Sequence, residues 1–152
     1  MRSPRSADAL LPRLRAARDL MDRCYAEPLD VAALARQAGY SRYYFLRAFH
    51  EAFGETPRGY LTRRRIERAK DLLRVANLTV TEVCLLVGFS SLGSFSARFR
   101  GLVGTSPSAY RAAMVRSGGP PPIPGCFLMV WTRPSPAPNG AIAEKQIDGA
   151  GP

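Results

Sequence analysis

The chain has 152 residues, enough for one ordinary domain or two very small ones. Its 22 Lys and Arg outweigh 12 Asp and Glu, and the net charge of +10 points to a polyanionic partner, nucleic acid or an anionic membrane face. Three widely spaced cysteines (Cys24, Cys84, Cys126) and a single histidine argue against a disulfide framework and a zinc site, and no cofactor is implied.

Residues 1–9 read as a frayed end whose charges break every apolar run, unlike a signal peptide. From about Leu11 a helical pattern carries Leu14, Ala17, Met21 and Cys24 on one side, with Pro12 tolerable near the first turn. Asp30 caps a short helix over Val31–Ala38, and Gly39 supplies a turn. Ser41 caps a longer helix that ends at Gly54, and Pro57 opens another running to about Val75. Thr79 then caps a short helix over Val80–Val87, followed by the turn at Gly88. Ser90 or Ser91 starts a sixth helix to about Val103, Gly104 closes it, and Pro107 opens a seventh. No period-two strand pattern occurs before residue 120, so the expected class is all-α with about seven helices.

After Ser117 the composition changes. GGPPPIP and TRPSPAPNG favour irregular chain, with the apolar run CFLMVW (Cys126 to Trp131) between them as a short strand or a docked segment. Arg133, Glu144, Lys145 and Asp148 cancel, so the positive charge belongs to the helical part. No stretch approaches the roughly 20 apolar residues of a membrane span. The expectation is a soluble, reduced, cytoplasmic protein without membrane partners.

The two halves repeat one another. Leu29, Val31, Gly39 and Ser41 align with Leu78, Val80, Gly88 and Ser90 at an offset of 49. Phe45, Phe49, Gly54, Pro57 and Tyr60 align with Phe95, Phe99, Gly104, Pro107 and Tyr110 at an offset of 50, which puts one extra residue just after the serine cap. Each copy reads short helix, glycine turn, longer helix. That is an αα-hairpin or a helix-turn-helix, in which the second helix enters a DNA major groove.

Helix faces sharpen the choice. Phe45, Phe49 and Phe53 cluster on one side of the third helix, as do Phe95, Phe99 and Leu102 on the sixth, and these are the expected core. Opposite them lie Tyr43, Leu46, Arg47 and His50 in the first copy and Gly93, Ser96, Ala97 and Arg100 in the second. Tyr, Arg and His offer stacking, a bidentate fork and a hydrogen-bonding ring, whereas small residues allow close approach with few directional bonds. The first copy is therefore expected to carry most base discrimination and the second to position the protein, with Arg98 reaching a phosphate. The connecting helix holds seven basic residues against Glu67 and Asp71, and its Arg63, Arg64 and Arg65 are expected along phosphates. At 1.5 Å per residue it spans roughly 28 Å, comparable to the roughly 34 Å between successive major-groove faces. One monomer could thus reach two grooves.

GFSSLGSFSARF with VGTSPSAYR, and EPLDVAALARQAGYSRYYFLRAFHEAFGETP with YLTRRRIERAKDLL, resemble the DNA-binding domain of the AraC family of transcription regulators over about residues 10–116. The resemblance implies two helix-turn-helix subdomains, 10–56 and 76–117, joined by a rigid linker helix, 57–75, with 118–152 as an irregular tail. It implies base contacts from Tyr43, Leu46 and Arg47 and from Leu92, Gly93, Ser94, Ser96 and Ala97. Ser41, Arg42, Ser90 and Ser91 complete the expected backbone contacts. Many members carry an Arg where this chain has Ala97, with Arg98 following it, which weakens base reading there. Cys84 stands where the first copy has Ala35, as a small core residue or a redox sensor. Double-stranded DNA is the implied partner, and many members activate transcription by contacting RNA polymerase. The chain looks like the stand-alone members that lack a metabolite-binding domain. An architectural, non-specific DNA binder and an adaptor sensing a small molecule through the tail remain alternatives; no carboxylate cluster or nucleophile–base pair suggests an enzyme.

Overall fold

The computed structural model describes residues 9–75 and 77–118; the CFLMVW run and the Pro/Gly-rich stretches lie outside them. Among the described residues seven helices follow in chain order: α1 (Leu10–Arg23), α2 (Val31–Ala38), α3 (Arg42–Phe53), α4 (Pro57–Val75), α5 (Val80–Leu86), α6 (Leu92–Val103) and α7 (Pro107–Arg116). The described residues contain no strand.

Local chemistry sets the helix ends. The Asp30 carboxylate accepts from the Ala32 amide, and Ser41, Ser91 and Ser106 accept from the amides of Tyr44, Ser94 and Ala109. Thr79 and Glu82 form a reciprocal capping box that closes the start of α5. Gly54 and Gly104 end α3 and α6 in the left-handed conformation.

The core divides into two clusters. One gathers Leu14, Met21, Leu34, Ala35, Phe45 and Phe49 from α1, α2 and α3, with Tyr60 of α4. The other gathers Ile66, Ala69, Leu72 and Leu73 of α4 with Val83, Cys84, Phe95 and Phe99. α4 thus gives its first turns to one unit and the rest to the other. Within each unit the aromatic packing repeats. Phe45 and Phe49 lie 5.8 Å apart and Phe95 and Phe99 also 5.8 Å apart. Tyr60 meets Phe49 edge-on at 6.0 Å, as Tyr110 meets Phe99 at 5.6 Å.

Two details differ from the sequence reading. Leu102 is 55% exposed, and Val103 packs on the second cluster in its place. The buried side of α6 advances by four residues at a time, Phe95 to Phe99 to Val103, so Leu102 falls beside it. The extra residue also sits earlier than expected. The turns close alike at an offset of 49, with Tyr40 bonding to the Ala35 carbonyl and Phe89 to the Cys84 carbonyl. The caps then match at an offset of 50, Ser41 with Ser91. The added residue therefore lengthens the turn between Phe89 and Ser91, ahead of the cap, and α3 and α6 keep equal lengths of 12 residues.

Gly88 is constrained twice. Its φ is +93°, and a Cβ there would lie 2.6 Å from the Ala26 carbonyl oxygen, in the segment between α1 and α2. Gly54 also has positive φ, +76°, but open space around it. Gly54→Ala should therefore lose about 1–2 kcal/mol, the cost of a left-handed Cβ. Gly88→Ala should lose about 2 kcal/mol more, because backbone must move. Urea midpoints at unchanged slope measure both.

Candidate nucleic-acid interface

The aromatic packing turns one face of α3 and one of α6 outward. On α3, Arg42, Tyr43, Arg47 and His50 are exposed and Leu46 is half-buried. Tyr43 is 78% exposed, far more than packing demands of a large aromatic. On α6, Leu92, Gly93, Ser94, Ala97, Arg98 and Arg100 are exposed and Ser96 is half-buried, in the same position relative to its helix as Leu46. The Arg47 Nε donates to Glu51 at 2.8 Å across one helical turn, both side chains being largely exposed. Such a pair is worth about 0–1 kcal/mol and exchanges readily for a better acceptor.

Ser41 and Ser91 spend their hydroxyls on the caps just described, while Ser90 stands in the lengthened turn. Between the two units opens a cleft of about 470 Å³. Arg42 of α3, Arg58 and Arg65 of α4, and Ser90, Ser94 and Arg98 of the second unit line it. Among the described residues, no ion pair engages Arg42, Arg58 or Arg98. Arg58 was hidden from sequence reasoning inside a generally basic helix; only the fold turns it into the cleft beside Arg98.

The triple arginine of α4 has other partners. Arg63 bonds Glu55 at 2.8 Å and Glu67 at 2.6 Å. Arg64 bonds Asp22 and Glu67, each at 2.8 Å. Asp22 also accepts from the Tyr60 hydroxyl at 2.8 Å, so α1 and α4 are stitched by one carboxylate. Burial, and next the bond to Asp22, push the Tyr60 phenol up to about 12. Burial acts to raise the Glu67 carboxyl, but the bonds from Arg64 and Arg63 outweigh it and hold the group below its usual range. Among the described residues Arg65 meets no carboxylate: its Nε donates to the Tyr25 carbonyl at 2.5 Å and its Nη2 to the Glu27 carbonyl at 2.8 Å. All three guanidiniums thus have partners within the protein, while the Arg63 and Arg64 side chains stay 39% and 41% exposed.

Cys24 and Cys84 are free thiols in the core, and burial pushes both up from the usual thiol value. Cys84, 1% exposed, sits in the second cluster as a small hydrophobe. No helix among the described residues is long and apolar enough to cross a membrane.

The sequence profile described as a helix-turn-helix domain matches residues 34–113, from α2 into α7. The DNA-binding domain of AdpA, solved in complex with a target DNA, superposes with a TM-score of 0.64 at 35% identity, over 66% of this chain and 91% of that domain. This chain belongs to the AraC family of transcription regulators. An AraC-type regulator from Chromobacterium violaceum superposes with a TM-score of 0.63 at 32% identity, over 68% of this chain and 93% of the other. The transcriptional activator AarP of Providencia stuartii is 36% identical over 83 residues, 55% of this chain and 62% of AarP. The match therefore spans less than two thirds of that relative's length. The outward face of α6 is smooth, carrying Gly93, Ser96 and Ala97. Gly93 lies inside the helix with only the Ser91 hydroxyl nearby, and Gly101 has open space. Neither glycine is required by packing, and each weakens the helix. Gly93→Ala and Gly101→Ala should each stabilise the fold by about 0.5–1 kcal/mol in urea unfolding. Only Gly93→Ala should also weaken binding in a DNA titration.

Proposed function

We propose that this chain is a sequence-specific DNA-binding transcription regulator that sets α3 and α6 into two consecutive major grooves of one duplex as a monomer. The observation that carries the reading is the recurrence, on one chain, of the same buried aromatic packing behind two outward helix faces with an arginine-lined cleft between them. Tyr43, Leu46, Arg47 and His50 discriminate bases from α3. On α6, Leu92, Gly93, Ser94, Ser96, Ala97 and Arg100 follow the groove closely and read less. Arg42, Arg58 and Arg98, with Ser90, take the phosphates that cross the cleft. Residues 10–56 and 76–117 act as the two readers, and 57–75 fixes their separation.

The AarP relative is named as an activator. By that likeness this chain activates transcription, with RNA polymerase as the partner. In-vitro transcription from a promoter bearing the selected site, with this chain as the only added regulator, tests that role.

The small residues of α6 favour one competing reading, a DNA-coating protein with little sequence preference. Affinity for a selected duplex against random duplex at one salt concentration separates the two. A large ratio supports the specific regulator; a ratio near unity supports the coating protein. Arg47→Ala should cost about 1–3 kcal/mol on the selected duplex and relax preference at one position, as for a bidentate contact to guanine. Arg98→Ala should weaken selected and random duplexes alike and reduce the salt slope by about one. Arg64→Ala should leave the salt slope unchanged and lower the urea midpoint instead, because its loss leaves Asp22 short of a partner.

A further inference from the structure

The segment between α1 and α2 belongs in sequence to the first unit, yet it is built into the second. The Tyr25 ring packs against the second cluster. The Ala26 backbone touches Gly88 so closely that no Cβ fits between them. Arg65 gathers these contacts from α4. Its guanidinium bonds the Tyr25 and Glu27 carbonyls and lies 5.8 Å from the centre of the Phe89 ring. Phe89 belongs to the lengthened turn that leads into α6, and its ring packs edge-on against Phe95 at 5.4 Å.

The chemistry of the contact is that of a fastening. A guanidinium taken partly out of water without a carboxylate is unfavourable unless its donors are met, and burial lowers the Arg65 group from its usual value. Here two carbonyls accept from Nε and Nη2, and an aromatic face lies against the guanidinium. The carbonyls come from the first unit and the ring from the turn that presents α6. The neighbouring arginines do something different: Arg63 and Arg64 pair with carboxylates of α1, α4 and the turn before α4, and none of these partners belongs to the turn ahead of α6.

We propose that Arg65 is a positioning residue that locks the turn ahead of α6 to the segment between α1 and α2, and so fixes which spacing of two DNA boxes the chain accepts. The inference rests on the two-groove reading above. A helix swung by the width of one base pair leaves its groove, so a rigid joint makes spacing part of the recognised sequence. Loosening the joint lets α6 follow a displaced box at the cost of ordering the joint on binding.

The test uses the full chain and the duplex it selects from a random-sequence pool, remade with one or two base pairs added between the two protected boxes. The wild-type chain should lose about tenfold or more in affinity for each displaced duplex, which is about 1.4 kcal/mol. Arg65→Gln should bind the selected duplex more weakly and lose less than about threefold on displacement, with an unchanged salt slope. Phe89→Leu, which keeps an apolar side chain but removes the ring face, should shift the spacing preference the same way. Circular dichroism and the urea midpoint establish that each variant is folded at the binding temperature. A Phe89→Leu chain that is folded also supplies the answer if Arg65→Gln is not. Wild-type spacing preference retained in the folded variants would overturn the proposal. So would uniform weakening of Arg65→Gln with a lower salt slope, the mark of a phosphate contact. A wild-type chain indifferent to spacing would overturn the two-groove reading and this proposal with it.

Discussion

The outward-facing helices α3 and α6 are each held by aromatic packing that includes an edge-on contact from the tyrosine of the following helix to their second phenylalanine. Tyr60 does this for α3 and Tyr110 for α6. A recognition helix must be buried along one side and bare along the other, and it has only 12 residues in which to be both. Aromatic rings resolve the conflict because two phenylalanines one turn apart bury a large area on a narrow stripe. The remaining circumference is then released from packing. Glycine ends and proline starts serve the same purpose, since they bring the next helix back sharply enough for its tyrosine to reach.

The positive charge of the chain is not one undivided surface. Asp22, Glu55 and Glu67 engage Arg63 and Arg64, turning part of a basic helix into the girder between the units. Arg42, Arg58 and Arg98 line the open cleft without ion pairs among the described residues. Net charge per helix therefore says little about where a polyanion lies; the partner of each guanidinium does.

Most of the fold was legible because its signals are local. Caps at Asp30, Ser41 and Thr79, left-handed glycines, and prolines at helix starts mark boundaries of α2 to α7 within a residue or two, whereas α1 starts without a side-chain cap and ends at Arg23, ahead of the Glu27–Asp30 stretch. The phenylalanine repeat revealed the two units for the same reason. What the sequence hid is long-range. Nothing near Arg65 announces carbonyls 38 and 40 residues earlier, nor does Asp22 announce Tyr60. Leu102 looked like core because an apolar residue at that spacing fits a helical stripe, but the stripe drifts and Val103 takes the place. The extra residue was misplaced by one step because Ser90 and Ser91 are both able to cap, and only geometry chooses between them.

The pair between Arg47 and Glu51 has a further consequence on the proposed reading. A guanidinium that already holds a carboxylate can take a base edge only by exchanging partners. On a matching base the exchange is favourable, since a bidentate acceptor replaces a single exposed bond. On a mismatched base Arg47 keeps Glu51, and its guanidinium stays committed to that pair instead of to the DNA. On that reading Glu51 competes with the DNA for one guanidinium, so only a base edge that offers more than the exposed pair draws Arg47 away.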